Sequence, residues 1–454
     1  MKEKITLLSL GLLFYLINCC CGAKVETLVR FSLNDSIETL DTVLYRPSAL
    51  DSKVVLAGSK KSGSTRSVWA LWGEWSESTG LKNNVAREFV FDNLKNCQDP
   101  ILGASETPQY LSFSCQDTTS NDAKIVIARL DTNGDSILSH GIVSYPNAKQ
   151  DADVSLGITY LEARVMFTVR NNKDSDVLYF LDKSFNTQYS LEADVLGSLH
   201  VIGRPDVNNF WVMSTPSGNL YVSHFIDGNV QESLTMSFDK ASFQSAAVSN
   251  DILMICFEEI DSSEDIKWRS IMFMGLSDLS KKAHRRITNT QKGNLQCSAS
   301  SDGRRFIATI ENYAQSYATW VFNSEYNLEQ SFSLTHRDGY HFAARDIDCT
   351  DNTCRYLLSA GVTGKQSDGS DSEGAFAAID LSETGSDMTA LGGVTTQDLP
   401  NVANLTVKWT KATLVSGFTV SQSEASIVKN FDITLTSMPL NESNSANTLL
   451  TLTL

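Results

Sequence analysis

The sequence predicts an all-β fold in which one four-stranded antiparallel sheet is repeated along the chain. Two observations lead to this prediction. A sequence pattern recurs in which an apolar strand leads into a turn of Asp, Asn, Ser or Gly, and a more polar strand follows. Successive copies start 43–57 residues apart, at Val68, Ile125, Val177, Leu220, Ile271, Ala318, Ala375 and, faintly, Ser426. Such a period in a β-rich chain indicates a repeat architecture with one four-stranded sheet per repeat.

The segment from Asn294 to Thr335 shows the four strands of one unit most clearly. They read NLQCSAS, RFIATIE, ATWVFN and LEQSFSLTH, and a turn separates each from the next. The third strand is nearly all apolar, which is typical of a strand buried on both faces. The fourth mixes polar and apolar residues, which is typical of an outer edge strand.

Eight such units fit between about Leu40 and Asp432, so the sequence favours eight sheets over seven. Two stacked β-sandwiches are the alternative architecture. Residues Val25–Leu33 precede the first unit and belong to none of them. We expect this segment to supply the missing outer strand of the last sheet and so to close the ring.

Two phrases resemble known repeats. SSDGRRFIATIENYAQSYATWVF, from Ser300, resembles the Asp-Gly repeat of secreted and periplasmic β-propellers. KIVIARLDTNGDSI, from Lys124, is similar to the strand-turn phrase of another bacterial-type propeller repeat. Each match covers about one unit, and the chain has no WD dipeptide or kelch di-glycine signature. The resemblance implies a β-propeller whose blades are these units, eight favoured over seven, and it implies no function.

The N-terminus has the form of a secretory signal. Lys2 and Lys4 precede the apolar run Ile5–Ile17, and small residues follow. A lipid anchor at Cys19 is the alternative, but Asn18 stands where such a site needs a small residue. No later segment is long and apolar enough to span a bilayer, so we expect a secreted, extracellular protein. The expected organisation is a signal peptide over 1–23, a propeller over 24–440 and a C-terminal tail over 441–454.

Six cysteines follow the predicted signal, and an even number in an exported chain suggests disulfides. Two pairs are predicted to join the first and second strands of a unit: Cys349 with Cys354, and Cys97 with Cys115. The sequence leaves open whether Cys256 and Cys297, on neighbouring units, also pair. A metal site is the alternative, but the chain lacks a pair of Cys-x-x-Cys motifs. We therefore expect neither a metal nor another cofactor.

The formal net charge of −16 argues against nucleic-acid or anionic-membrane binding, which needs clustered Lys and Arg. Three sequons would be glycosylated in a eukaryotic cell, which would make the chain a glycoprotein. Their acceptors are Asn34, Asn404 and Asn441.

Two groups of residues are candidates for ligand contact. The spacing of Trp69, Trp72 and Trp75 resembles thrombospondin-type repeats, which implies a glycan contact at Trp72, but core packing is the favoured interpretation. The second group is the only dense basic cluster, and it would bind a sulfated or carboxylated glycan. A dibasic protease site is another interpretation, and the favoured one is an outer strand whose Lys and Arg residues discourage edge-to-edge pairing. The cluster comprises Lys281, Lys282, Arg285 and Arg286.

No linear motif indicates a catalytic residue. The loops at Asp131 and Ser367 are rich in carboxylates, but the first lacks the Gly and Glu that an EF-hand requires, so neither is predicted to bind a metal. The prediction is therefore an extracellular binding or structural module for a protein or glycan, with self-assembly as a further interpretation. The alternative is a glycan-active hydrolase or lyase. The partner is expected at three loops between second and third strands: Lys60–Thr65, Asp261–Asp265 and Val362–Gly374.

Overall fold

The computed structural model describes most of the chain as short strands. The described residues are 24–32, 37–38, 42–46, 53–76, 80–103, 109–130, 137–149, 158–161, 164–170, 176–182, 187–194, 199–203, 209–261, 266–287, 293–300, 303–311, 317–334, 340–348, 356–363, 374–381, 389–390, 393–412, 419–423, 428–430 and 434–437. Among these residues, no helix is long and apolar enough to cross a membrane.

The first three sheets follow one another along the chain. Strand β1 is Lys24–Ser32, and it joins the last sheet. Sheet 1 comprises β2 (Ile37–Glu38), β3 (Thr42–Arg46), β4 (Lys53–Ser62), β5 (Thr65–Ser76) and β6 (Gly80–Phe89). Sheet 2 comprises β7 (Leu94–Gly103), β8 (Gln109–Asp117), β9 (Asp122–Leu130) and β10 (Ile137–Lys149). Sheet 3 comprises β11 (Ile158–Leu161), β12 (Arg164–Arg170), β13 (Asp176–Asp182) and β14 (Thr187–Ala193).

Four more sheets complete the repeat. Sheet 4 comprises β15 (His200–Gly203), β16 (Asn209–Ser214), β17 (Leu220–Ile226) and β18 (Asn229–Met236), with a short 3-10 turn at Pro216–Gly218. Sheet 5 comprises β19 (Lys240–Val248), β20 (Ile252–Asp261), β21 (Ile266–Gly275) and β22 (Lys281–Ile287). Sheet 6 comprises β23 (Asn294–Ala299), β24 (Arg305–Glu311), β25 (Tyr317–Asn323) and β26 (Leu328–Leu334). Sheet 7 comprises β27 (Tyr340–Asp348), β28 (Tyr356–Thr363) and β29 (Gly374–Asp380), with β1 beside β29.

The sheets close into a ring. The innermost strands β3, β7, β11, β15, β19, β23 and β27 contact one another in this order, and β27 returns to β3. Strand β1 pairs antiparallel with β29, so the N-terminal segment supplies the outer strand of the last sheet, as the sequence predicted. The chain is therefore a β-propeller, and each described sheet is one radial unit of it.

The prediction of eight blades is wrong, because the described strands form seven sheets. The eighth unit was counted from Ser426, and the strands around it do not form a sheet of their own. Each of them joins a different sheet at its outer edge. The faint repeat was counted as a further blade because the sequence of a short Val- and Thr-rich strand does not show whether it builds a new sheet or extends an existing one.

The last part of the chain, 389–437, forms a belt around the outside of the ring. Its strands are β30 (Thr389–Ala390), β31 (Val394–Gln397), β32 (Trp409–Ala412), β33 (Thr419–Ser423), β34 (Val428–Asn430) and β35 (Thr434–Ser437). They pair antiparallel with the outer strands of sheets 6, 5, 3, 2, 1 and 7, in that order. The belt therefore runs backwards around the ring and covers the outer edge of one sheet after another.

Apolar faces of neighbouring sheets pack together to form the core. In β5 the run Val68–Leu71 is fully buried on both faces, as predicted for a third strand. One cluster joins sheets 1 and 2 through residues such as Trp72 and Phe113, and another joins sheets 5 and 6 through Phe273 and Trp320. Burying a large apolar side chain contributes about 2 kcal/mol, so these interfaces hold the radial arrangement.

Candidate binding site at the outer edge of sheet 4

The outer strand of sheet 4, β18, is the most exposed of the described outer strands. Five consecutive residues, Asn229–Ser233, are exposed, whereas the described residues of β14 and β22 are mostly buried or half-buried. Val230 is 41% exposed although it is apolar. An exposed strand at the edge of a sheet presents unpaired N–H and C=O groups, which is a template for another strand.

A tight hairpin turn fixes the register of β18 against β17. Asp227 and Gly228 both have positive φ, at 51° and 77°, which is the type I′ turn that a two-residue hairpin favours. The turn closes on the pair Ile226 and Asn229, so the next residue, Val230, directs its N–H and C=O away from β17. At the other end Thr235 directs its carbonyl outward, and strand alternation gives Ser233 the same orientation.

The belt covers only one end of β18. Met236 and Val402 form an isolated antiparallel bridge, with Ala403 N–H donating to Thr235 O at 2.9 Å and Ser237 N–H donating to Asn401 O at 2.8 Å. No described strand pairs with the outward backbone of residues 229–234. The other sheets each receive a belt strand with two or more paired residues. Sheet 4 therefore has the least covered outer edge in the described part of the chain.

The belt is anchored on both sides of this open edge. Towards sheet 3, Trp409 packs edge-on against Phe225, with ring centroids 5.0 Å apart, and its indole N–H donates to Tyr221 Oη at 3.3 Å. Towards sheet 5, Lys281 donates to the carbonyl of Pro400. The intervening belt thus cannot slide along β18 without breaking contacts on two neighbouring sheets.

Exposed apolar side chains lie on the belt and beside the hairpin turn that leads into β18. Leu399 and Val402 on the belt are 45% and 63% exposed, and Ile226 beside the hairpin turn is 38% exposed. The side chain of Asn404, one of the predicted glycosylation sites, is exposed two residues after Val402. The open edge of β18 (Asn229–Leu234) together with Leu399 and Val402 is the candidate binding site.

The thrombospondin-like spacing implied a glycan contact at Trp72, but this residue lies in the core. Its side chain is only 5% exposed and packs in the cluster between sheets 1 and 2. Trp69 and Trp75 are buried as well, at 0% and 3%. The indole of Trp72 has no surface open to a glycan, so we do not propose it as a contact.

The basic cluster lies on β22, the predicted outer strand, but most of its cations already have protein partners. Arg286 donates through two nitrogens to Glu259, Arg285 donates through Nε to Tyr326 O at 2.9 Å, and Lys281 contacts the belt. Only the Lys282 side chain is exposed. The edge of β22 is paired with β31, so these cations do not keep the edge open. The cluster holds the belt and the sheet together.

A buried carboxylate organises that cluster. Glu259 Oε2 accepts a hydrogen bond from Ser270 Oγ at 2.9 Å, and His284 Nε2 lies 3.4 Å from the same oxygen. Burial raises the pKa of Glu259, but the hydrogen bonds from His284 and Arg286 outweigh it and lower the pKa to about 2. The neighbouring Glu258 also has a lowered pKa, because hydrogen bonding and charge from Arg269 outweigh burial. Both carboxylates are therefore held ionised.

Two disulfides form within the described part of the chain. Cys97 and Cys115 join β7 to β8, as predicted, and Cys256 and Cys297 join sheet 5 to sheet 6. Residues Cys349 and Cys354 lie outside the described residues. So do residues 1–23, and two of the sequon acceptors, Asn34 and Asn441.

The loops that were predicted to bind the partner are only partly described. Lys60–Thr65 is not a long loop, because β4 ends at Ser62 and β5 starts at Thr65, so a two-residue turn joins them. Residues 262–265 and 364–373 of the other two loops lie outside the described residues, as do residues 131–136 and the loop at Ser367. Within the described part of the chain, no group of three or more His, Cys, Asp or Glu could hold a metal.

Comparison with known proteins finds only distant structural similarity. No protein-family model matches the chain, and no curated protein matches it either. Solved structures with a similar arrangement include the β-propeller domain of the Trilobed protease from Pyrococcus furiosus, at 12% identity and a TM-score of 0.45, covering 77% of this chain and 99% of that one. Another is the subtype N10 neuraminidase-like protein of A/little yellow-shouldered bat/Guatemala/060/2010, at 8% identity and a TM-score of 0.40, covering 64% and 97%. A third is AofleA from Arthrobotrys oligospora, at 11% identity and a TM-score of 0.41, covering 68% and 90%.

These similarities are too distant to transfer an activity. From its own topology, the chain is a β-propeller with a circumferential belt, and its described residues contain two disulfides.

Proposed function

We propose that this protein is a secreted binding module that captures an extended segment of a partner protein by strand addition to β18. The observation that carries the proposal is the open edge of Asn229–Leu234, whose outward backbone groups no described strand uses. Strand addition obtains its affinity from main-chain hydrogen bonds and its specificity from side-chain pockets.

The belt supports this proposal because it binds the outer edges of the other sheets in the same way. Its segments at those edges read TA, VTTQ, WTKA, TVSQS, VKN and TLTS, and they are rich in Thr and Val. The outer strand of sheet 4 is an edge of the same kind that the belt leaves open, so it can accept such a segment from another chain. We therefore expect the partner segment to be extended, β-branched and poor in acidic residues, because the chain has a net charge of −16.

A glycan partner has less support. Trp72 is buried, and Arg285 and Arg286 are committed to Tyr326 and Glu259. A hydrolase has less support as well, because a general acid needs a carboxyl group with a raised pKa. Among the described carboxyl groups, those whose pKa departs from its ordinary value all have it lowered: Asp117, Glu258, Glu259 and Asp278.

Binding of a synthetic strand tests the proposal. An eight-residue peptide that alternates Thr and Val would be titrated into the chain and followed by fluorescence anisotropy. Val230→Pro removes the outward N–H and should weaken binding at least tenfold, because proline cannot donate to a new strand. Val230→Thr is the matched control: it keeps both the β-branched side chain and the N–H, and it should bind like the parent.

Val230→Lys provides a second variant if the proline variant folds poorly. It keeps the N–H but places a charge on the edge, a device that discourages strand pairing. Equal binding by the parent, Val230→Pro and Val230→Lys would overturn the proposal.

A further inference from the structure

One more segment of this chain has the composition of a belt strand. Residues Thr448–Leu454 read TLLTLTL, in which Leu and Thr largely alternate as they do in a half-buried strand. Residues 443–454 carry no charged side chain and no proline. On an acidic chain, such an uncharged segment can approach a second copy without repulsion. Windows with this composition pair readily with exposed edges.

The spacing of the belt strands shows how far this segment can reach around its own ring. Strands β30 and β31 begin at residues 389 and 394, and β32, β33, β34 and β35 begin at 409, 419, 428 and 434. The belt therefore uses five to ten residues to pass from one sheet to a neighbouring one. The last described strand, β35, ends at Ser437 on sheet 7. About 11 residues separate Ser437 from Thr448, enough for one or two further sheets at this spacing. Sheet 4 lies three sheets further along the direction of the belt.

The direct path across the ring is also too long. A straight path from the outer edge of sheet 7 to that of sheet 4 crosses four strand spacings in sheet 7 and three in sheet 4. These spacings add up to about 34 Å, and the width of the central channel comes in addition. The linker from Ser437 to Thr448 spans at most about 37 Å, and only if it is fully extended. It would have to pass straight through the body of the propeller. The segment therefore cannot reach the β18 edge of its own molecule.

We propose that residues Thr448–Leu454 of one molecule add to the β18 edge of a second copy, and that this links the molecules head to tail. The inference rests on the proposed function, because it names the partner of the same site. The new strand continues the belt, which already bridges Met236 and Val402 at one end of that edge. A heterologous contact of this kind produces open chains or closed rings rather than an isologous dimer.

The test follows the mass of the full chain, without residues 1–23, by sedimentation at concentrations from 1 to about 100 μM. We expect association in the micromolar range that Thr451→Pro/Thr453→Pro in the tail reduces at least tenfold. The matched control, Thr451→Val/Thr453→Val, keeps the N–H groups and should associate like the parent. Val230→Pro on the edge should reduce association as strongly as the tail prolines, and Val230→Thr should not.

A second measurement separates the two proposals. A peptide of residues 444–454 would be titrated into the Thr451→Pro/Thr453→Pro chain, whose own tail cannot compete. Saturable binding that Val230→Pro removes supports the self-assembly proposal. If this peptide fails to bind while the Thr/Val peptide binds β18, self-assembly is wrong and the binding function stands. If neither binds, both proposals fail, and association unchanged by the tail prolines also overturns self-assembly.

Discussion

Trp409 and Tyr221 connect the belt to a sheet with which its strand does not pair. Trp409 lies on β32, which pairs with β14 of sheet 3, yet its indole N–H donates to Tyr221 Oη of sheet 4 at 3.3 Å. The belt thus joins neighbouring sheets from outside, in addition to the packing between their faces. The same residue packs edge-on against Phe225 and fixes the belt beside the open edge of β18.

Trp409→Ala should lower the free energy of unfolding by about 3 kcal/mol, because it removes a half-buried indole from the interface of sheets 3 and 4. Trp409→Phe keeps much of the packing and loses only the hydrogen bond, so it should cost about 1 kcal/mol. Urea denaturation of both variants measures the difference. Equal stability of Trp409→Ala and the parent would show that the belt does not stabilise the ring at this point.

The belt should also stabilise the ring beyond this residue. Truncation after Ala412 removes β33, β34 and β35 and leaves the outer edges of sheets 2, 1 and 7 uncovered. We expect a lower thermal midpoint and stronger aggregation, because exposed edges pair with other chains. Truncation after Leu440 keeps the whole belt and serves as the control, and its thermal midpoint should match that of the full chain. If the chain truncated after Ala412 also had the thermal midpoint of the full chain, the belt would not stabilise the ring.

The disulfide between Cys256 and Cys297 should contribute more than the one between Cys97 and Cys115. The first closes a sequence separation of 41 residues and joins two sheets, whereas the second closes 18 within one sheet. The chain-entropy model gives about 4 and about 3 kcal/mol respectively. Paired Cys→Ala substitutions at each bridge, compared by denaturant unfolding under oxidising conditions, measure both values. A larger loss at the 97–115 bridge would contradict this order.

The pKa of Glu259 should make the stability depend on pH in acid. Its folded-state pKa of about 2 lies below the ordinary value of 4.5, so its contribution is present in full above pH 4.5. That contribution is lost as the pH falls through about 2, and it amounts to about 3 kcal/mol by linkage. Glu259→Gln should therefore be less stable at neutral pH and should lose less stability between pH 4.5 and 2. If the free energy of unfolding changed equally with pH in the parent and the variant between pH 4.5 and 2, this prediction would be wrong.

The sequence predicted the repeat and the order of strands well, because both depend on local patterns. The unit from Asn294 to Thr335 has strands close to those expected, and the N-terminal segment closes the last sheet. The buried third strand was visible as the apolar run at Val68. Short-range alternation and turn residues carry this information directly.

The belt and the candidate site could not be predicted in this way. The strand from Val394 reads like any Val- and Thr-rich strand, and only its partner, β22, shows that it extends another sheet. The open edge of β18 exists because the belt leaves it after Val402, which is a long-range relationship. The basic residues of β22 looked free in the sequence, because their partners lie on other elements: Glu259 binds Arg286, and the carbonyl of Tyr326 binds Arg285.

Amide hydrogen exchange across β18 shows whether a partner strand adds to this edge. The exchange of residues 229–236 would be followed by mass spectrometry with and without the saturating Thr/Val peptide. If strand addition occurs there, the outward amides of Val230 and Ser233 become hydrogen-bonded, and exchange in this segment slows at least tenfold. Unchanged exchange in 229–236, with slowed exchange elsewhere on the ring, would place the binding site on another surface and contradict the account.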